Sequence, residues 1–368
     1  MKLLSQRLLM IASLSLVNHF LTNRIIPAFA FAFIHQTNSR QPFYSTTSTL
    51  SMSSYTYTGE TLLDSMSKAC TESLGREVNL QPARGGGASG GGGASVSAAV
   101  DENTGEKYFI KSASVSVPGG GNMFQMLHAE YMGVKEMSET DTIKVPKPIA
   151  FGEHHAGGGA PRDIAFVVFE YLEFSGGGSG FELGQNLAKM HRSLSVSKQF
   201  GFHVDNTIGA TPQPNLPWVN NWADYWDKHR LGHMLKLTGD AGFDKSKIEK
   251  LRKKTRELLS HNPEPSLIHG DLWGGNKGYA KVDGKVIPVL FDPATYYGDR
   301  EADIAMTHVF GGFGPDFYEG YESEWPLPEG HEKRKMVYNL YHILNHEVLF
   351  GGMYLRQAQG MIDQILKM

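Results

Sequence analysis

Two stretches restrict this chain more than any other part of it: SLIHGDLWGGNKGY, from Ser266 to Tyr279, and VLFDPATYYGD, from Val289 to Asp299. Asp271 and Asn276 stand five positions apart on a glycine-containing loop. Asp292 ends an apolar run further along. Taken singly, the first stretch reads equally as a polar turn before a strand, and Asp292 as a turn residue before Pro293. Taken in order, they ask for a fold that brings a loop and a strand end to the same cleft.

The rest of the chain supplies such a layout. REVNLQPAR reads as a strand, and GGGASGGGGAS (residues 85–95) as a glycine loop. VSAAVDENTGEKYFIK reads as a hairpin turning at ENTG. Met123, Phe124, Leu127, Tyr131 and Val134 fall at helical spacing behind Asn122 as N-cap. KPIAFG and IAFVVFEYL read as further strands. After Leu172 the character changes to amphipathic helices: GFELGQNLAKMHRSL, NNWADYWDKHRLGHMLKL and KSKIEKLRKKTRELLSH. The expectation is an α+β, bilobal, protein-kinase-like fold. A small β-rich N-lobe spans 56–172, and a larger α-rich C-lobe spans 173–368.

The residue types then acquire roles. Asp271 and Asn276 have the H-x-D-x-x-x-x-N spacing of a kinase catalytic loop. An aspartate there accepts or orients the acceptor hydroxyl proton. An amide oxygen a short loop later binds a divalent cation without adding charge. Asp292 occupies the place of the second metal ligand, where a carboxylate bridges Mg²⁺ to the terminal phosphates. Lys111 ends the strand KYFIK and Glu130 lies on the next helix, the order in which kinases place an ion pair on the nucleotide phosphates. Glycines Gly90, Gly91, Gly92 and Gly93 allow backbone N–H groups to approach those phosphates, although the run also suits a flexible linker. His269 is expected to orient the loop by hydrogen bonding. His342 and His346, one helical turn apart, suit zinc in spacing but lack a third ligand.

Composition excludes several classes. A net charge of −3 and a pI near 6.6 leave no footprint for nucleic acid. One cysteine, Cys70, rules out an internal disulfide and a thiolate metal site, and it falls on a helical apolar face. At the N-terminus, LLMIASLSLV between Lys2 and Arg7 on one side and PAFA on the other has signal-peptide character over residues 1–30. The run is too short to span a membrane, so no membrane is expected for the mature form. Residues 31–55 are rich in Ser and Thr and carry no acid, as transit peptides are. A two-part presequence of this kind points to a plastid. Secretion, a mitochondrial address and a cytosolic start at Met52 are the alternatives.

LIHGDLWGGN, FDPATYYGDREADIAMTHVFGGF and FGFHVDNTIGATPQPN resemble the fructosamine kinase/ketosamine-3-kinase family, within the aminoglycoside-phosphotransferase-like kinases. KYFIKS, MFQMLHAEYMGVKEM, VPKPIAFG and FVVFEYLE extend the likeness in the same order, over roughly residues 60 to 365. The resemblance implies ATP- and Mg²⁺-dependent phosphorylation of the C3 hydroxyl of a ketoamine sugar (ribulosamine, erythrulosamine or fructosamine). Glycated proteins or small ketoamines would be the substrates, and deglycation the outcome. It carries the base role to Asp271, the metal roles to Asn276 and Asp292, and the phosphate role to Lys111 with Glu130. Trp273 would line the acceptor pocket, its indole face packing on a sugar's C–H surface. Adenine would meet the backbone of the connection from Glu170 to Leu172. Asp299 and Asp303 would support the catalytic loop. The glycine run is longer than the family pattern and lacks the cysteine common in plant relatives. A kinase for a free sugar or amino alcohol, and a nucleotide-binding regulator without activity, are the competing readings.

Overall fold

The structure is a computed structural model and describes residues 55–59, 61–89, 94–115, 122–155, 163–239 and 243–368. Residues 1–54, which hold the expected signal-like segment and all but the last residue of the expected transit-like segment, lie outside the described residues, as do Gly90–Gly93.

The first half builds a six-stranded sheet from β1 (Thr56–Thr58), β2 (Leu80–Ser89), β3 (Ser95–Asp101), β4 (Lys107–Ser114), β5 (Pro148–His155) and β6 (Ile164–Glu170). Their spatial order is β1-β5-β6-β4-β3-β2, antiparallel except where β1 runs parallel to β5. The turn at 102–105 joins β3 to β4 as the ENTG signal demands. Asp101 closes that turn, accepting from the Asn103 amide and the Thr104 hydroxyl. β2 reaches Ser89, so the glycine run expected to be a loop from residue 85 begins as strand, paired with β3 at Gly87–Ser97.

β6 is apolar from Ile164 to Phe169 because both of its faces are covered. Ala165, Val167 and Phe169 face helix α2 (Met123–Ser138), with Leu127, Val134 and Met137. Phe166 and Val168 face helix α1 (Leu62–Leu74), with Met66, Ala69 and the buried Cys70. The β-rich half is therefore a three-layer stack. Each helix starts where a side chain caps it: Thr61 with Asp64 on α1, and Asn122 on the Phe124 and Gln125 amides of α2.

After β7 (Phe174–Ser175) the chain is mainly helical. It comprises α3 (Gly180–His191), α4 (Trp222–Tyr225), a π-helical turn (Trp226–Leu231), α5 (Gly232–Leu237), α6 (Lys245–Leu258), α7 (Glu301–Thr307), α8 (Pro315–Glu324), α9 (His331–Phe350) and α10 (Met353–Leu366). Short strands are set among them: β8 (Asn206–Ile208) with β9 (Thr211–Gln213), β10 (Ser266–Ile268) with β13 (Tyr296–Gly298), and β11 (Lys277–Val282) with β12 (Lys285–Leu290). The inner face of the sheet and the helical half share one continuous core, so α2 and β4 are held against the segment that carries Asp292.

Candidate active site

β10 and β13 pair antiparallel, Leu267 opposite Tyr297. The loop leaving β10 and the segment entering β13 therefore run side by side, joined by the Ala294 amide donating to the His269 carbonyl at 2.9 Å. Gly270 sits at φ +81°, and a Cβ there would lie 2.1 Å from the Ala294 carbonyl oxygen, so only glycine lets the two strands of the site approach this closely.

Asp303, in the first turn of α7, anchors the loop. Its carboxylate accepts from the His269 amide at 2.7 Å, the Gly270 amide at 2.8 Å and His191 Nε2 at 3.1 Å. Burial works to raise its pKa, but these donors and the neighbouring imidazoles win and hold it below the usual carboxylate range. His269 Nε2 donates to the Phe291 carbonyl at 3.0 Å, while Nδ1 accepts from the Asp271 amide at 3.3 Å. Those partners fix one neutral tautomer, and burial lowers the imidazole pKa accordingly. Asp299 has other partners: the Glu301 amide at 3.0 Å, His261 at 2.9 Å and the Tyr338 hydroxyl. Of the two aspartates expected to support the loop, Asp303 holds it directly.

Asn276 ties the two acidic positions, Asp271 and Asp292, together. Its Nδ2 donates to the Asp271 carbonyl at 2.9 Å, to Asp271 Oδ2 at 3.1 Å and to the Asp292 carbonyl at 3.3 Å. The amide oxygen, on the other arm of the group, takes no hydrogen bond among the described residues. Burial lifts the Asp271 carboxyl to about 7; the charges of Asp292 and Asp303 add to this, and the Asn276 hydrogen bond opposes it. A carboxyl poised near neutrality is suited to proton transfer.

Lys111, on β4, reaches across the cleft to both neighbours: Glu130 Oε1 at 2.5 Å and Asp292 Oδ1 at 2.6 Å. Burial disfavours its charge, but the two carboxylates outweigh that and raise its pKa. The Glu130 carboxyl is pushed up, chiefly by burial. Asp292 itself adopts φ +55°, a left-handed conformation unusual for a side chain other than glycine. Lys111, Glu130, Asp292, Asn276 and Asp271 thus form one chain of contacts, with oxygens of Asp271, Asn276 and Asp292 left without protein partners among the described residues. Hard oxygen donors of that kind can hold a Mg²⁺ ion.

Glu170 at the end of β6 binds Lys144 at 2.6 Å and the Lys147 amide at 3.0 Å, so its side chain is committed to the connection's own structure. Leu172 packs with Phe174, Ala280, Val289 and Phe291 into a small apolar cluster beside the cleft. Trp273 is half-buried and lies over Gly275, where a Cβ would meet the ring at 2.2 Å. Sequence reading gave no role to the backbone at Gly311 and Gly312, which touches Gly274 of the loop. Nor did it find Lys277, whose Nζ sits 5.2 Å from the Phe313 ring centroid. The FGGFG string was visible, but nothing in it announces contact with a loop some forty residues earlier. His342 and His346 join no group of three potential ligands among the described residues.

A model of the family described as fructosamine kinase matches residues 63–368. The chain belongs to the fructosamine kinase family. A probable ketoamine kinase of Synechocystis sp. is 45% identical over 265 residues, 71% of this chain and 84% of that one. A protein-ribulosamine 3-kinase, chloroplastic, of Arabidopsis thaliana is 42% identical over 248 residues, 66% of this chain and 73% of that one. Among solved structures, a putative fructosamine-3-kinase from Haemophilus somnus superposes with a TM-score of 0.65 at 27% identity, covering 82% of this chain and 96% of that one. This fructosamine kinase family member is a phosphotransferase with a kinase-like α+β fold. Among its described residues, no helix is long and apolar enough to cross a membrane.

Proposed function

We propose that this protein transfers the terminal phosphoryl group of ATP to the C3 hydroxyl of a ketoamine sugar carried on a protein lysine. One observation carries the reading: Lys111, Asp292, Asn276 and Asp271 are joined by successive hydrogen bonds across a single cleft, basic at one end and acidic at the other. Lys111, held by Glu130, meets the nucleotide phosphates. Adenine lies against the backbone after Glu170 and the apolar cluster around Leu172. Asn276 and Asp292 hold the magnesium ion, which when bound supplies positive charge against the transferring phosphoryl oxygens. Asp271 takes the proton of the acceptor hydroxyl, and Trp273 offers an indole face to the sugar. A phosphate at C3 leaves far more readily than hydroxide. Its expulsion on enolisation of the adjacent ketone leaves an unsaturated C1–nitrogen adduct, which water hydrolyses to a dicarbonyl sugar and the free lysine, so the biological outcome is deglycation. The presequence and the chloroplastic designation of the Arabidopsis relative support a plastid address, which a tagged protein found only in the cytosol would remove.

The test is to offer the mature protein ATP, Mg²⁺ and a panel of lysine-bound ribulosamine, erythrulosamine and fructosamine beside free sugars and amino alcohols, then locate the phosphate by NMR. The expected product is a 3-phosphate on a lysine-bound ketoamine. Turnover confined to a free sugar or an amino alcohol would replace this reading with that of a small-molecule kinase.

A further inference from the structure

The motif DNTIGATPQPN, residues 205–215, takes no part in that mechanism, yet three of its amide side chains are buried. Asn206, Gln213 and Asn215 have relative exposures of 8%, 1% and 0%. They form a chain of amides ending on the segment that follows Asp292. Asn206 Nδ2 donates to the Thr295 carbonyl at 2.9 Å, and Gln213 Nε2 to the Ala294 carbonyl at 3.1 Å. Asn206 Oδ1 accepts from Gln213 Nε2 at 2.8 Å and from Asn215 Nδ2 at 2.9 Å. Tyr341 of α9 donates to Gln213 Oε1 at 2.7 Å, which orients that amide. Behind Asn215 stands Arg230, fully buried in the π-helical turn. Its Nη2 donates to Asn215 Oδ1 at 2.7 Å and to the Tyr225 hydroxyl at 2.8 Å, and its Nη1 to the Pro214 carbonyl at 2.7 Å. The guanidinium lies 3.9 Å from the centroid of the Tyr296 ring.

Two features set this network apart from ordinary core polarity. Arg230 has no carboxylate partner among the described residues, so its charge is buried against neutral groups, an arrangement that is costly and that packing alone does not call for. The network also ends on two carbonyls, Ala294 and Thr295, that precede β13 and so lack a sheet partner, at the spot where Gly270 of the catalytic loop abuts Ala294. Ala294 lies two residues after Asp292, and Gly270 lies one before Asp271. A shift of Ala294 therefore moves both acids.

We infer that Arg230, acting through Asn215, Asn206 and Gln213, is a positioning residue that fixes the Asp292–Tyr296 segment against the catalytic loop. The segment is clamped by side chains where a longer sheet would otherwise hold it. The inference rests on the roles proposed for Asp271 and Asp292, and its test separates the two.

The mature protein and its Gln213→Met, Arg230→Met and Arg230→Lys variants are compared by steady-state kinetics, and by hydrogen–deuterium exchange without nucleotide. Gln213→Met and Arg230→Met are expected to lower kcat by about tenfold to a hundredfold, with KM for ATP within about threefold of the parent. Deuterium uptake is expected to rise in residues 292–297 and to stay unchanged in α1 and α10, with Arg230→Lys intermediate in both readouts. Unchanged uptake in 292–297, a rise there with kcat intact, or loosening spread over the whole helical half would each overturn the inference. Asp292→Asn serves as the control: if it turns over like the parent, the metal role of Asp292 fails, while the exchange data still judge the clamp.

Discussion

Two buried ion clusters in this molecule look alike and behave oppositely. In the cleft, Lys111 lies between Glu130 and Asp292. Deep in the helical half, Arg334 grips both oxygens of Glu301 at 2.7 Å, beside Asp299, His261 and Tyr338. In the second cluster each carboxylate oxygen has a protein donor, and the Asp299 side chain is 2% exposed. In the first, the Asp292 side chain is 35% exposed and its carboxylate meets Lys111 alone among the described residues. Burial and shifted titration occur in both, so neither separates a site from a staple. Unfinished coordination does: oxygens with no protein partner are where a ligand enters.

The largest expected effect tests the open cluster. Asp271→Asn keeps the shape and the hydrogen-bonding reach but cannot take a proton. Turnover should fall by about 10²–10⁴-fold, while nucleotide still protects the protein against heat. Undiminished turnover would refute the base role. The closed cluster should respond the other way. Arg334→Met removes both hydrogen-bond donors from the buried Glu301 carboxylate, leaving His261, 3.8 Å away, as its one ion-pair partner among the described residues, and urea unfolding should show a loss of about 3–5 kcal/mol with kcat per folded molecule unchanged. A variant that loses kcat but keeps its stability would mean that Arg334 serves the chemistry after all.

Sequence alone revealed the open cluster better than the closed one. Phosphoryl transfer imposes a spacing, so Asp271 and Asn276 could be picked five residues apart, and the strand-then-helix order sufficed to pair Lys111 with Glu130. The closed cluster obeys no such rule. Asp299 and Asp303 looked equivalent in YYGDREADIAM, but Asp299 precedes α7 and turns toward His261 and Tyr338. Asp303 lies in the first turn of α7, where it reaches the loop amides. Arg230 was harder still. Nothing in NNWADYWDKHRLGHMLKL singles it out, and the buried Arg230 lies on a π-helical turn that departs from the 3.6-residue period. β1 is only three residues long, too short to show alternation.

A smaller effect should appear on the acid side of the stability curve. His342 on α9 is buried, and its Nδ1 has no partner among the described residues. Burial, aided by the charges of His346 and Arg230 and opposed by Asp303, pushes its pKa down to about 3. An unfolded histidine titrates near 6.5. Between those values the unfolded chain takes up a proton that the folded chain refuses, so this group's contribution to stability is present above about pH 6.5 and is lost as the pH falls. His342→Gln should flatten that limb in pH-dependent urea midpoints. The flattening should be partial, because His229, also buried, falls to about 4 in the same direction. A limb as steep as the parent's would place His342 outside the acid response.

The smallest expected effect is an absence of coupling. Among the described residues Glu130 and Glu301 share no hydrogen-bond partner, and one link between their clusters is the chain that runs from Asp299 to Asp303 and on to the loop. If one cluster is a site and the other a staple, Glu130→Gln and Glu301→Gln should change unfolding free energy additively, within about 0.5 kcal/mol. The double-mutant cycle is more demanding than either single change, because each cluster can look independent when probed alone. A coupling above about 1 kcal/mol would show that α7 transmits strain between them. The staple would then help to set the geometry of the cleft, and the division drawn from unfinished coordination would fail at the helix that carries both Glu301 and Asp303.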